Sequence, residues 1–109
     1  MLNIDNQSKY RVINSLFERI QKIVFTEEKA DLDRYIDLLF VDNYESRSYN
    51  KRFRGKDSET DVISFPAELE FLPTYGDIII DISVADRQKD NRTLEEELTT
   101  LFLHGVLHL

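Results

Sequence analysis

The chain has 109 residues, of which 41% are hydrophobic and 32% charged, and its formal net charge is −7 at pH 7. One hydrophobic core is normal at this length, so we expect a single domain over residues 1–109. The excess of acidic residues disfavours a general nucleic-acid-binding protein, because phosphate affinity comes mainly from clustered Lys and Arg.

The absence of cysteine excludes thiolate metal sites, so any metal must be bound by His and carboxylates. No apolar run approaches the roughly 20 residues that span a bilayer and the N-terminus lacks signal-peptide features, so we expect a cytoplasmic protein without a membrane partner.

The first half of the chain alternates between strand and helix patterns. The first residues predict a short strand, and apolar residues at helical spacing predict an amphipathic helix over residues 9–25. The β-branched and aromatic run RYIDLLFVDN predicts a buried strand within residues 34–43. A helix over residues 44–53 follows, for which Asp42 or Asn43 provides the N-cap. This order predicts an α/β or α+β layered domain.

The segment at residues 50–56 is the one cationic stretch of an acidic chain. Its four basic residues have no acidic residue among them: Lys51, Arg52, Arg54 and Lys56. A solvated loop accounts for such a run as well as function does. The functional interpretation is a phosphate contact, for which Arg is preferred because its planar guanidinium binds two oxygens at once.

Two further strands are predicted before the last helix. Residues 60–65 read as a short strand, and residues 76–81, GDIIID, as a strand that is buried on both faces. Asp77 and Asp81 would lie about 13 Å apart on one side of that strand, too far to share a metal. We interpret both as solvating the ends of the strand.

Residues 82–88 then predict a short helix. The three glycines of the chain form no phosphate-binding motif, which disfavours a nucleotide cofactor.

The last stretch, TLEEELTTLFLHGVLHL, predicts a well-defined helix over residues 93–109. Thr93 and Glu96 have the spacing of a capping box, and acidic residues in the first turn interact favourably with the helix dipole. From residue 101 the helix is apolar on nearly all sides, which predicts burial. Gly105 lies in the main apolar stripe, where glycine costs about 1 kcal/mol relative to alanine, and this indicates close approach of another backbone.

His104 and His108 are four residues apart and should lie side by side on this helix. Two histidines satisfied by hydrogen bonds within a core helix are one explanation of the pair. The alternative is a metal site, because an i,i+4 pair presents two imidazole nitrogens to one ion, and zinc accepts such ligands. The residue after the first histidine is Gly105, so the HExxH metalloprotease motif lacks its general base.

Four blocks of sequence, NKRFRGKD, TDVISFP, GDIIIDISVADRQ and HGVLHL, occur in this order over residues 50–109. Together they resemble the YbeY family of bacterial metal-dependent endoribonucleases, which act in ribosomal RNA maturation. The resemblance implies an α+β fold, with a small mixed sheet of about four strands packed against helices and a central C-terminal helix that bears HGxxH. It assigns His104 and His108 as the first two ligands of an H-x3-H-x5-H zinc site, and Arg54 as the arginine implicated in RNA cleavage.

The family's third histidine would come six residues after His108, beyond Leu109. The resemblance therefore implies that a C-terminal segment is missing and that Leu103, Leu107 and Leu109 are partly exposed or covered by another chain. A hydrolytic zinc site usually has three protein ligands and an open position for water, so two ligands alone should bind more weakly.

The leading hypothesis is a zinc-dependent hydrolase, an endonuclease specific for single-stranded RNA, that acts in ribosomal RNA processing and ribosome biogenesis. Its partners would be ribosomal RNA and the ribosome or ribosomal proteins. One alternative is a non-catalytic ribosome-assembly partner that docks on a basic protein through its acidic surface. The other is a metal-dependent hydrolase of a substrate other than RNA, since zinc chemistry suits carbonyl carbon as well as phosphorus.

Overall fold

A computed structural model describes residues 2–31, 33–55, 60–67 and 72–109, while the side chains of residues 43–45, 53 and 54 lie outside that description. Within these residues the chain forms strands and helices in the following order: β1 (Leu2–Asn6), α1 (Asn14–Glu27), β2 (Tyr35–Val41), α2 (Asn43–Arg54), β3 (Val62–Pro66), β4 (Thr74–Asp81), α3 (Ile82–Gln88) and α4 (Leu94–Leu107). None of the described helices has the length and apolar character needed to cross a membrane.

The strands form one mixed sheet in the order β1-β2-β4-β3. The β1–β2 and β2–β4 pairs are parallel, whereas β3 pairs antiparallel to β4 and forms an edge of the sheet. In the centre, Leu38 lies beside Ile4 on one side and Ile78 on the other. This arrangement confirms the predicted α+β fold with a small mixed sheet.

The helices cover the two faces of the sheet unequally. One face carries the main core, in which Leu38 and Ile78 pack with Phe17 of α1 and Phe102 of α4. On the opposite face a smaller cluster of Val41, Ile63 and Ile79 packs with Tyr49 of α2 and other partly buried side chains. The central strand β4 is therefore apolar on both sides, as the run of three isoleucines predicts.

Helix α1 begins at Asn14, five residues later than the periodicity predicts. The preceding turn is organised by side chains: Asn6 Oδ1 accepts hydrogen bonds from the backbone N–H and the hydroxyl of Ser8, and the Ser8 hydroxyl accepts one from the backbone N–H of Tyr10. Such local bonds offer the backbone an alternative to the helix. The prediction of helix from residue 9 is therefore wrong for its first turn.

Two smaller predictions are also corrected. Asp81 is fully buried rather than solvating the end of β4, because its carboxylate accepts hydrogen bonds from the Ser46 and Ser83 hydroxyls at 2.5 Å and from the backbone N–H of Val84. It is thus the N-cap of α3. Asp42 is the N-cap residue of α2, but its side chain makes no capping hydrogen bond.

Candidate metal and RNA site

The start of α4 is fixed by side chains of its own first turn. The Thr93 hydroxyl accepts from the backbone N–H of Glu96 at 3.1 Å, and the Glu96 carboxylate accepts from the backbone N–H of Thr93 at 3.0 Å. The hydrogen bond from the Thr93 backbone N–H is the largest of the causes that lower the pKa of the Glu96 carboxyl below its usual range. Arg92 adds a guanidinium contact to Glu97 at 2.7 Å. The predicted capping box is therefore confirmed, and it sets where the helix begins.

Close contact with the sheet positions the other end of α4. A Cβ added at Gly105 would lie 3.0 Å from Ile78 Cγ2 and 3.2 Å from the Ser64 hydroxyl oxygen. The Ser64 hydroxyl donates a hydrogen bond of 3.2 Å to the Gly105 carbonyl. The glycine thus lets the helix approach strands β3 and β4, but the atoms that it faces belong to side chains and not, as predicted, to another backbone.

The apolar character of α4 does not mean burial on all sides. Leu98, Leu101, Phe102 and Val106 are buried, whereas Leu103 is 40% and Leu107 is 58% exposed. The expectation of burial all round is therefore wrong, and that of exposure at Leu103 and Leu107 is confirmed.

His104, in the last turn of α4, and His108, its C-cap residue, lie together and are exposed. Their rings are nearly parallel, with centroids 5.0 Å apart and an interplanar angle of 16°. No hydrogen bond joins either imidazole to another residue that the structure describes. Both residues lie at the C-terminal end of the helix, where the helix dipole favours a cation. The ring nitrogens are therefore available to a ligand from solvent.

The two histidines form one side of an open cleft of about 610 Å³. Opposite them lie the five consecutive residues 61–65, which include the first four residues of strand β3, while Leu101 and Gly105 complete the lining. At one end of the cleft, the Asp61 carboxylate accepts a hydrogen bond from the side-chain amide of Gln88, which also donates to the Glu97 carboxylate of α4. The cleft is thus a seam between α4 and the edge of the sheet.

The donor set of this cleft suits a divalent transition metal in part. Two imidazoles at i,i+4 spacing are ligands that zinc accepts. In the part of the chain that the structure describes, no group of three or more His, Cys, Asp or Glu side chains is placed to hold a metal ion. His104 and His108 can therefore supply two ligands, and a third must come from elsewhere.

Arg54, the predicted phosphate contact, is the last residue of α2, and Gly55 ends that helix in a left-handed conformation with φ of 70°. The Arg54 side chain lies outside the described residues, as does Lys56. Lys51 and Arg52, one turn or less before it, are exposed. Its proposed role therefore stays a prediction.

Sequence reasoning missed Ser64 and the row formed by Asp37 and Asp77. Ser64 lies in the TDVISFP block, but its bond to Gly105 depends on the packing of α4. Asp37 and Asp77 are directly opposite on the parallel strands β2 and β4. Burial is the larger of two causes that raise the pKa of the Asp77 carboxyl, and the negative charge of the neighbouring Asp37 is the other. The pairing register brings these two carboxylates together, and no local pattern signals it.

Comparisons with known proteins agree with this architecture. The sequence model of the family described as Endoribonuclease YbeY matches residues 3–109. Proteins of that name from Chelativorans sp. and Acholeplasma laidlawii are 35% and 37% identical to the chain over 105 and 110 residues. These alignments cover 90% and 99% of this chain, and 64% and 79% of the respective relatives.

The fold is also found among solved structures. The solution structure of TM1509 from Thermotoga maritima matches with a TM-score of 0.68 and 29% identity, over 100% of this chain and 71% of that protein. The extent of the family match and the identity to several relatives support the same assignment as the four sequence blocks. The chain belongs to the endoribonuclease YbeY family.

Proposed function

We propose that the chain is a metal-dependent endoribonuclease that cleaves single-stranded RNA in the cleft between α4 and β3. The observation behind this proposal is the pair of stacked, exposed imidazoles, His104 and His108, which line an open cleft in a chain of this family. A hydrogen-bonded core pair would be buried, which disfavours the structural explanation of the two histidines.

His104 and His108 would hold one zinc ion through their ring nitrogens, with a third ligand from outside the described residues. Zinc bound there would supply Lewis acidity, which polarises a phosphate oxygen and lowers the pKa of a water toward 7. The close packing of Gly105 against Ile78 of β4 and Ser64 of β3 holds the turn of the helix that carries His104 beside the cleft. Arg54 would bind the scissile phosphate or stabilise the negative charge that develops on it.

Ribosomal RNA is the substrate that we propose, with a role in its processing and in ribosome biogenesis in the cytoplasm. The net charge of −7 requires that phosphate be bound locally. The cationic stretch at residues 50–56 meets this requirement, since its exposed Lys51 and Arg52 lie within the three residues before Arg54. Binding should therefore weaken as salt rises, because each phosphate contact releases counterions.

Cleavage of a labelled single-stranded RNA, with zinc or with a chelator, tests the proposal. Chelation, and the His104→Gln, His108→Gln and Arg54→Ala variants, should each slow cleavage by at least about a hundredfold. Lys51→Ala, which removes a charge from the same cationic stretch, is the matched control and should act much more weakly. Full activity in Arg54→Ala would disprove its role. Metal-dependent hydrolysis of an ester or peptide without any RNA cleavage would establish the alternative hydrolase instead.

A second candidate function, docking onto a basic ribosomal protein, is favoured by the acidic row on the sheet face opposite α4. Asp37 and Asp77 lie at a groove of about 730 Å³ whose other lining residues include Asp5, Leu39 and Tyr49. The raised pKa of Asp77 reflects burial and repulsion by Asp37, both of which penalise its charge. A Lys or Arg side chain placed in the groove would relieve that repulsion.

This second function is tested by the binding of basic ribosomal proteins to the chain at low and high salt. The Asp37→Asn and Asp77→Asn variants should lose salt-sensitive binding and keep RNA cleavage, because their side chains lie on the other face from the His104–His108 cleft. Binding that both variants retain would exclude this surface.

A further inference from the structure

Strand β3 forms the wall of the cleft opposite the two histidines, and its outer backbone edge faces that cleft. The hydrogen bonds from Asp81 N to Asp61 O and from Ala67 N to Tyr75 O fix the alternation of the β3–β4 ladder. The backbone groups of odd-numbered residues therefore point to β4, and those of Val62, Ser64 and Pro66 point away. All five consecutive residues 61–65 line the cleft. Successive side chains of a strand point to opposite faces, so a cleft bordered by one face would be lined by alternate residues only, and this one is bordered by the backbone edge.

The free hydrogen-bonding groups on this edge are few. The Val62 N–H donates to its neighbour's carboxylate, Asp61 Oδ1, at 2.8 Å, and Pro66 has no N–H. The Ser64 N–H and the Val62 and Ser64 carbonyls have no hydrogen-bond partner among the described residues. A single donor with acceptors beside it thus lies next to the turn of α4 that bears His104 and His108.

We propose that this edge binds one nucleobase of a single-stranded RNA through the Ser64 N–H and the adjacent carbonyls. The inference rests on the proposed function and deepens it. A backbone N–H and C=O that face the same way match the donor and acceptor pattern of a base edge, and single-stranded RNA exposes such edges while a duplex uses them for pairing. Preference for single strands then follows from the need for a free base edge.

An extended polypeptide is the other occupant that a sheet edge attracts, and the composition of β3 disfavours it. Strand addition needs a row of free donors and acceptors. Here two of the three outward positions offer no donor, because Val62 N–H is already bonded and Pro66 lacks one. Proline and side-chain capping of this kind are means by which proteins prevent pairing at an edge. One remaining donor is enough for one base but gives a poor strand pairing.

Amide hydrogen exchange measured by NMR tests the inference on the full chain with zinc, using a 2′-O-methyl RNA oligonucleotide as the probe. In the free protein the Ser64 amide should exchange fast, while the Ile63 amide, bonded to β4, should be protected. Single-stranded RNA should slow Ser64 exchange at least about tenfold, and a duplex of the same sequence should not.

Each other outcome overturns the inference. RNA that binds by fluorescence anisotropy without protecting Ser64 would exclude the edge contact and leave the proposed function standing. Equal protection by the duplex would exclude recognition of a base edge. Protection by an extended peptide but not by RNA would assign the edge to polypeptides. Failure of RNA to bind at all would reject both proposals.

Substitution at position 64 gives an independent test. Ser64→Pro removes the N–H and the hydroxyl, whereas Ser64→Ala removes only the hydroxyl that bonds the Gly105 carbonyl. Affinity for single-stranded RNA should fall at least about fivefold more in Ser64→Pro than in Ser64→Ala, while zinc affinity, which reports intact packing of α4, should be equal in the two variants. Equal RNA affinity would contradict a role for the N–H.

Discussion

Gly105 shows how one residue lets the helix that carries His104 pack closely on the sheet. Its Cα faces Ile78, which is fully buried and has little freedom to move. Alanine is the better helix former by about 1 kcal/mol, but the added methyl group would be forced against Ile78 at 3.0 Å and against Ser64 at 3.2 Å. Packing and helix propensity therefore oppose each other at this position.

We expect Gly105→Ala to be destabilising because overpacking of a core costs about 1–3 kcal/mol, more than the propensity gain. Chemical unfolding should show a net loss of up to about 2 kcal/mol. Leu103→Ala, on an exposed site of the same helix, is the control and should change stability much less. A Gly105→Ala protein more stable than the parent would show that the contact with β4 is loose.

Asp77 provides a pH-dependent test at the same scale. Its pKa is raised in the folded state, so the folded protein binds this proton more tightly than the unfolded chain does. This tighter binding of the proton stabilises the folded protein fully below the pKa of Asp77 in the unfolded chain, about 3.9. The stabilisation is lost as pH rises through the pKa of Asp77 in the folded protein.

Asp77→Asn should therefore raise the stability at pH 7 by about 0.2–1 kcal/mol, the range for cross-strand pairs. The difference from the parent should shrink toward pH 3, where Asp77 is protonated in both states. Asp33→Asn, in an exposed turn, is the control for loss of one negative charge. A gain of equal size in both variants, or one that does not depend on pH, would exclude repulsion by Asp37 as the cause.

At the scale of elements, α4 was the most predictable part of the fold because local and global signals agree. The capping box and the acidic first turn specify the same start, and the apolar stripe specifies the buried side, although it does not predict the exposure of Leu103 and Leu107. Strand β4 was predicted for a similar reason, since three β-branched isoleucines in a row between two aspartates indicate a strand covered on both faces. The start of α1 was not predictable from periodicity, because Asn6 and Ser8 hold the preceding residues in a turn.

The contribution of the cap to α4 is measurable. Thr93→Ala should destabilise the protein by about 1 kcal/mol, since the Glu96 N–H loses its acceptor and the capping box is broken. Thr26→Ala is a matched threonine control near the end of α1, where the hydroxyl only donates to the Lys22 carbonyl. Equal unfolding midpoints for the two variants would mean that α4 is held by packing alone.

At the scale of the whole molecule, the family and the α+β architecture could be predicted from the order of four sequence blocks, and both are confirmed. The spacing of His104 and His108 predicted their proximity, because i and i+4 share one face of any helix. The cleft itself could not be predicted, since it depends on β3 being the edge strand that meets α4. The acidic row of Asp37 and Asp77 depends likewise on strand register.

The distribution of charge over the molecule is consistent with separate surfaces for separate partners. His104 and His108 line the cleft between α4 and β3. Asp37 and Asp77 lie on the opposite face of the sheet, in the groove that Tyr49 of α2 also lines. An acidic protein can therefore approach RNA at one region and still offer a different region to a basic protein. Substitutions in one region should leave the function of the other intact.

The most direct test of this account is zinc binding measured by calorimetry on the parent chain and on three variants of α4. We predict that one zinc binds per chain, that His104→Gln and His108→Gln each weaken binding at least about tenfold, and that Leu103→Gln at an exposed site of the same helix does not. Equal zinc affinity in all four proteins would contradict the assignment of the two histidines as metal ligands, and with it the proposed mechanism.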